Sequence, residues 1–270
     1  MRKIFKIVLV GTISLLVTAL TTSLESVGFQ MVSAIASGVF GIMVSSIYEF
    51  VDTHDQGLKT WIDTQIRYRE MNIRLSFSYL FRIEVDGKYL LVRGHRMNGQ
   101  FQPIGGVYKV YDEGRSFLDQ IRAAADISMG NADETDDLRI QIKGKEYFKF
   151  WDWFESMKDR EYDPRREFEE ELIDTGILQV EEFRKLKYRK VWTHNVGVTY
   201  SQPLGIHEVV YADIFEVKLT DCQKQIIRDA ARHNSTQICL ATIDEIRCRR
   251  YNNSVEMNLG NNTPWILGEE

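Results

Sequence analysis

The sequence predicts an α+β protein whose folded domain is preceded by a helical membrane anchor, and three observations support this. The 270-residue chain is 44% hydrophobic with a formal net charge of -5, which is typical of folded domains. Residues 7–48 carry one charged side chain, Glu25. Strand-like runs then alternate with helical patterns. We therefore divide the chain into a transmembrane helical hairpin (1–48), a cytoplasmic stalk helix (49–70) and an α+β domain with a large insertion (71–270).

Two apolar runs predict the membrane hairpin. Residues 7–24 and 27–48 each approach the roughly 20 residues that a helix needs to cross a bilayer, and only a short turn separates them. Basic side chains precede the first run and follow the second, whereas the turn has none, so both ends are expected to face the cytoplasm. The alternative is a signal peptide followed by a buried core helix.

The stalk and the first strands follow from periodicity and turn chemistry. Residues 49–70 are polar, with apolar side chains near helical spacing. The apolar runs 75–85 and 89–92 flank Asp86-Gly87, which predicts a β-hairpin. A third strand at 101–104 ends at Gly105-Gly106, a pair that indicates a tight or left-handed backbone.

The middle of the domain is predicted from shorter patterns. A helical pattern covers 116–125, and an acidic loop at 133–137 is interpreted as a solvated turn, with cation binding as the alternative. A strand at 138–142 then leads into an aromatic helix around residues 148–154.

Residues 163–172 are the most informative segment. Asp163 is suited to cap a helix, Pro164 to occupy its first position, and Gly176 to end it. On a regular helix the apolar Phe168 and Leu172 share one face.

The opposite face of this helix is acidic. Glu167, Glu170 and Glu171 fall within about 100° of one another on a regular helix. Their mutual repulsion requires a neutralising group, for which Arg166 and a bound Mg²⁺ are the candidates. The alternative interpretation is an ordinary solvated amphipathic helix.

These motifs together resemble the Nudix family. A glycine pair after a hairpin is followed by Arg-Glu-hydrophobic-x-Glu-Glu at 166–171 and then by a Gly-hydrophobic pair at 176–177. The strand at 209–217 and the segment 241–245 extend the resemblance over about 73–250. Two intervals, 107–165 and 172–175, are longer than in the family, so the upstream glutamate of the Nudix box is unassigned.

The resemblance implies a Nudix-like mixed-sheet α/β/α sandwich and a set of site residues. Gly105, Gly106 and Arg166 would contact the bound nucleotide. Glu167, Glu170 and Glu171 would hold Mg²⁺.

Together with the two-helix hairpin, the expanded domain is similar to the SMODS-associated Nudix proteins of bacterial antiphage (CBASS) signalling. That similarity implies a multi-pass inner-membrane effector with its N-terminus and Nudix-like domain in the cytoplasm. The domain would bind a cyclic di- or trinucleotide, and the chain would form homo-oligomers that disrupt the lipid bilayer. A membrane-tethered, Mg²⁺-dependent Nudix hydrolase and a structural or interaction protein are the alternatives, so whether the chain is an enzyme stays open.

Composition argues against several other classes. The mildly acidic balance provides no basic surface for a nucleic-acid polymer. Three cysteines without C-x-x-C spacing suggest neither a disulfide framework nor a zinc site, which favours a reducing compartment.

Overall fold

The computed structural model describes residues 57, 59–94, 99–126, 136–252 and 258–268. The chain divides into two compact units, residues 1–61 and 62–270. Both predicted membrane spans and residues 133–135 of the acidic loop lie outside the described residues. Within the described ranges, no helix has the length and apolar character needed to span a bilayer.

The described part of the predicted stalk is helical, as its spacing indicates. Residues 59–62 are α-helical, and Asp63–Arg67 continue as a π-helical turn. Turn residues 68–70 then lead into the first strand, so the helix ends earlier than predicted.

Within the part of the chain that the structure describes, ten strands form two sheets: β1 Asn72–Arg82, β2 Glu84–Val85, β3 Lys88–Arg93, β4 Phe101–Gln102, β5 Gly105–Val107, β6 Ala124–Ala125, β7 Arg139–Lys143, β8 Lys187–Ser201, β9 Ile206–Lys218 and β10 Ile238–Thr242. The larger sheet has the order β6-β7-β1-β9-β8, with β5 on β1, and β1 pairs in parallel with β9 while the other pairs are antiparallel. The smaller sheet is β10-β3-β2, with β4 on β3.

The predicted hairpin is confirmed. β2 and β3 pair antiparallel, with Val85 opposite Lys88. Asp86 and Gly87 between them both have positive φ, 53° and 75°. Such a two-residue turn matches the natural twist of the strands.

C-terminal to the stalk, the described ranges contain six α-helices: α1 Asp112–Gln120, α2 Tyr147–Glu155, α3 Arg165–Phe168, α4 Val180–Phe183, α5 Asp221–His233 and α6 Ile243–Cys248. The predicted aromatic helix is α2. The helix predicted at 116–125 instead begins at Asp112 and ends at Gln120, and Ala124–Ala125 form β6, because an edge position beside β7 satisfies their backbone.

Helices pack on both faces of the large sheet. Alternate side chains of one strand reach opposite faces, so a single strand contributes to both cores. Phe77 and Tyr79 of β1 pack with Phe154 of α2 in one core. Leu80 packs with Ile246 of α6 in another. This mixed architecture fits the predicted α+β, Nudix-like class.

Candidate functional site

The helix of the predicted box begins at Arg165, so Pro164 takes the N-cap position instead of the first helical position predicted for it, and Asp163 precedes it. Asp163 Oδ1 accepts a hydrogen bond from Arg165 N at 3.0 Å. Gly176 has φ 75°, and its N–H donates to Ile173 O at 2.8 Å, which closes the helix. Phe168 and Leu172 are buried in the core, as predicted.

The helix is not regular, which the sequence did not predict. After α3 it widens into a π-helix, Glu169–Ile173, in which Asp174 N donates to Glu169 O five residues back. This changes the directions of the glutamates from those on a regular helix. Single π-turns within helices are often found at functional sites.

Arg166 lies at the centre of the site. Its Nε and Nη2 donate to the two carboxylate oxygens of Glu161 at 2.9 and 3.2 Å. Nη1 donates to Glu167 Oε1 at 2.7 Å and to Glu170 Oε2 at 3.1 Å. Nη2 also reaches the Val107 carbonyl at 3.2 Å. Each guanidinium nitrogen therefore donates to at least one protein acceptor.

This environment stabilises the charge of Arg166. Burial disfavours the charged form, but the hydrogen bonds to Glu161 and the nearby negative charges outweigh it and raise the pKa of Arg166 above its ordinary value. The predicted role of Arg166 in neutralising the acidic face agrees with these contacts.

Glu161 is the residue that sequence reasoning missed. Its side chain is 8% exposed, and besides Arg166 it accepts hydrogen bonds from Lys109 N at 3.2 Å and Tyr79 Oη at 3.4 Å. Its position five residues before Arg166 follows no family spacing, so only its burial reveals it. The structure thus provides a carboxylate partner for the arginine of the box upstream of the helix.

Glu167 and Glu171 are in an environment that opposes their ionisation. Burial raises the pKa of Glu167, and the charge and hydrogen bond of Arg166 offset this only in part. Burial also raises the pKa of Glu171 to about 8, with the negative charge of Glu167 as a further cause. The Glu171 Oε2 atom accepts a hydrogen bond from Gly105 N at 3.2 Å, which partly offsets this.

The glycine pair allows close approach of the backbone to the box helix. A Cβ at Gly105 would lie 2.2 Å from the Tyr79 carbonyl oxygen, and one at Gly106 would lie 1.8 Å from Glu167 Oε1. Gly105 and Gly106 belong to β5 and pair with β1. The prediction of a tight backbone is therefore confirmed, but it reflects close packing of a strand rather than a left-handed turn.

The chemistry of the donor set suits Mg²⁺, whereas the present geometry does not assemble it. Carboxylates are hard oxygen ligands, and a dication would offset the excess of negative charge. However, Glu167 and Glu170 both point at Arg166, and Glu171 points at Gly105. In the ranges that the structure describes, no group of three or more His, Cys, Asp or Glu side chains is arranged to hold a metal. Mg²⁺ on these glutamates stays a prediction.

A second buried polar cluster lies on β8 and β9. Asp213 accepts hydrogen bonds at 2.8 Å from the hydroxyl groups of Tyr108, Tyr211 and Thr193. Lys190 forms an ion pair with Asp213 at 2.5 Å, and its side chain is 45% exposed. Burial, reinforced by the charge of Asp213, raises the pKa of both tyrosines, so they remain neutral donors.

The two polar clusters adjoin each other. Tyr79 and Tyr108 pack edge to face with ring centroids 4.9 Å apart. The buried Arg160 lies over the Tyr108 ring and donates to the Glu161 carbonyl at 2.6 Å. Side chains of the two clusters are therefore in direct contact.

Comparison with known proteins yields a family match. A family model described as SMODS-associated NUDIX domain matches residues 72–267, which includes both glycines, Glu161 and the three glutamates of the box. No curated protein and no solved structure matches the chain.

Proposed function

This chain belongs to the family of SMODS-associated NUDIX domains, and we propose that it is a membrane-anchored effector of a bacterial antiphage (CBASS) system. In this proposal the Nudix-like domain binds a cyclic di- or trinucleotide in the cytoplasm. Binding promotes homo-oligomer formation, and the N-terminal hairpins then disrupt the inner membrane.

The arrangement around Arg166 is the observation that carries this proposal. A hydrolase needs carboxylates that converge on a metal, so that a positioned water can attack phosphorus. Here the glutamates of the box are directed at Arg166 and at Gly105. A receptor needs only contacts whose strength differs between its resting and activated states.

Arg166 also supplies a way for the site to respond to a phosphate. Glu170 is the most exposed of its carboxylate partners, with 51% of its side chain accessible, whereas Glu161 is 8% exposed. A ligand phosphate that replaces Glu170 on Nη1 gains a charge-assisted hydrogen bond, while Glu161 keeps the guanidinium in place. Glu171, protonated below its raised pKa, adds no repulsion toward the anion.

A second candidate, a membrane-tethered Mg²⁺-dependent Nudix hydrolase of a nucleoside diphosphate-linked substrate, is favoured by one observation. Three carboxylates, those of Glu161, Glu167 and Glu170, hydrogen-bond to the single guanidinium of Arg166, and the negative charge of Glu167 also acts on Glu171. If Mg²⁺ binds, Glu167, Glu170 and Glu171 would hold it, and the ion would activate water and neutralise a diphosphate.

Calorimetric titration of residues 62–270 with a panel of cyclic di- and trinucleotides, with and without Mg²⁺, tests the proposal. This unit has its own hydrophobic cores. Ligand integrity is followed by chromatography. The matched variants are Glu170→Gln, within the site, and Glu169→Gln, whose side chain is 45% exposed and pairs with Arg165 instead.

Tight binding of one cyclic nucleotide that stays intact supports the receptor. Glu170→Gln then retains or strengthens binding, because a competitor for Arg166 has been weakened, and Glu169→Gln leaves it unchanged. Mg²⁺-dependent breakdown that Glu170→Gln and Glu171→Gln abolish overturns the receptor in favour of the hydrolase. For the full chain, ligand-dependent growth in particle size and dye leakage from vesicles test the oligomer and membrane steps.

A further inference from the structure

One end of the large sheet carries a surface that is both apolar and basic. The parallel strands β1 and β9 begin at this end, and their antiparallel neighbours β7 and β8 finish there. The π-helical turn before β1 packs against the 3₁₀ turn Gly144–Glu146 after β7, and Gln65 donates to the Gly144 carbonyl at 3.4 Å.

The apolar part of this surface is unusual for its exposure. Of the nine large hydrophobic side chains exposed in the described ranges, four lie here: Ile62 (44%), Ile66 (64%), Met71 (48%) and Tyr200 (51%). Ile62 and Ile66 are four residues apart and share one side of the helix. Tyr200 packs on His207, whose ring lies 5.1 Å from Tyr200 and 4.1 Å from Tyr68, the residue that directly follows the π-helical turn.

Basic side chains surround these apolar groups. Five cations, Arg67, Arg69, Lys143, Lys145 and Lys149, lie on the two turns and the residues next to them. In the two segments that carry these cations, 62–71 and 143–149, three acidic side chains accompany them, and these pair with Arg67, Lys145 and Lys149. Of these, Asp63 is 10% and Glu146 is 17% exposed, which leaves Glu70 as the exposed anion. These two segments therefore carry five positive and three negative side chains, a net charge of +2, although the whole chain is negative.

We propose that these side chains form a docking surface for an anionic lipid bilayer. We call the surface the basic–apolar patch, and it consists of Ile62, Ile66, Arg67, Arg69, Met71, Lys143, Lys145, Lys149 and Tyr200. Apolar and aromatic groups that enter the interface, ringed by cations that meet anionic headgroups, are the chemistry by which proteins lie on membranes. In the sequence, residues 49–61 separate the patch from the second predicted span, so the choice of a bilayer as partner rests on the membrane anchor of the proposed function.

Docking at the patch also orients the nucleotide site. Gly106 pairs with Tyr79, seven residues along β1 from its first residue, Asn72. At about 3.4 Å per residue the site lies roughly 24 Å farther along the strand. The box would thus stay open to the cytoplasm while the other end of the sheet rests on lipid.

Vesicle flotation of residues 62–270 without any nucleotide tests this inference separately from the proposed function. The probes are vesicles of phosphatidylcholine alone and of phosphatidylcholine mixed with phosphatidylglycerol, at low and high salt. The test variant combines Lys143→Gln, Lys145→Gln and Lys149→Gln. The control combines Lys185→Gln, Lys187→Gln and Lys218→Gln, which removes the same charge from exposed lysines, two of them at the opposite end of the same sheet.

We expect binding to the anionic vesicles only, lost at high salt, and about tenfold or more weaker in the test variant than in the control. Ile66→Asn removes an exposed apolar side chain without changing the charge, and it should weaken vesicle binding as well. This variant tests the proposal if the triple variant does not fold. Equal binding to neutral vesicles, no binding at all, or equal loss in the two triple variants overturns the proposal.

Discussion

Replacing Arg166 with methionine should destabilise the domain far more than the same replacement of its neighbour Arg165. Methionine keeps much of the side-chain volume but removes every hydrogen bond to Glu161, Glu167 and Glu170. Glu161 then remains as a buried carboxylate without its cation.

The expected loss of stability is estimated from how deeply Arg166 and Glu161 are buried. Removing one partner of a buried ion pair costs about 3–5 kcal/mol. Arg166 is 25% exposed, and Glu161 keeps its hydrogen bond from Lys109 N, so we expect the lower end, about 3 kcal/mol. For a domain of this size that lowers Tm by roughly 6–12 °C. Arg165 pairs with Glu169 at the surface, where such a pair contributes about 0.3–0.5 kcal/mol.

Urea unfolding of residues 62–270 and of the two variants measures the difference. A double variant, Arg166→Met with Glu161→Gln, should lose less than the sum of the single losses by about 1 kcal/mol or more, since Gln leaves no unpaired charge. If Arg166→Met is no less stable than Arg165→Met, or if the double variant is strictly additive, the account of a buried Glu161–Arg166 pair is refuted.

Three further predictions concern single positions. The pKa of Glu171, about 8, lies above its ordinary value of 4.5, so the folded state keeps a proton that the unfolded state loses. The free energy of unfolding therefore decreases as the pH rises from about 4.5 to about 8, by up to ~1.4 kcal/mol per pH unit. Urea unfolding across this pH range should show that Glu171→Gln removes this decrease. Gly105→Ala should lower Tm more than Gly106→Ala does. The added methyl group at Gly105 would clash with the backbone of Tyr79, whereas the one at Gly106 would clash with the Glu167 side chain, which can move. Equal decreases in Tm for the two variants would contradict this. Thr220→Ala should lose about 1 kcal/mol in thermal unfolding, because Thr220 caps α5 through Gln223 N; an unchanged Tm would exclude the cap.

Local chemistry made much of the fold predictable. Asp86-Gly87 specifies its turn because both residues tolerate positive φ. Asp163 and Gly176 mark the box helix, since an acceptor at the start and a left-handed residue at the end satisfy free backbone groups. These signals act within a few residues, so they can be read without knowing the fold.

The sequence by itself determined the two apolar N-terminal runs, the box residues and the family resemblance that the comparison confirmed. Only the tertiary structure decided what the box residues contact. Glu171 meets Gly105, 66 residues away, and the pKa of Glu171 depends on burial that no spacing encodes. Glu161 becomes the ion-pair partner of Arg166 because folding removes both side chains from water at the same place. Periodicity describes one element at a time, whereas desolvation and ion pairing arise only where separate elements meet.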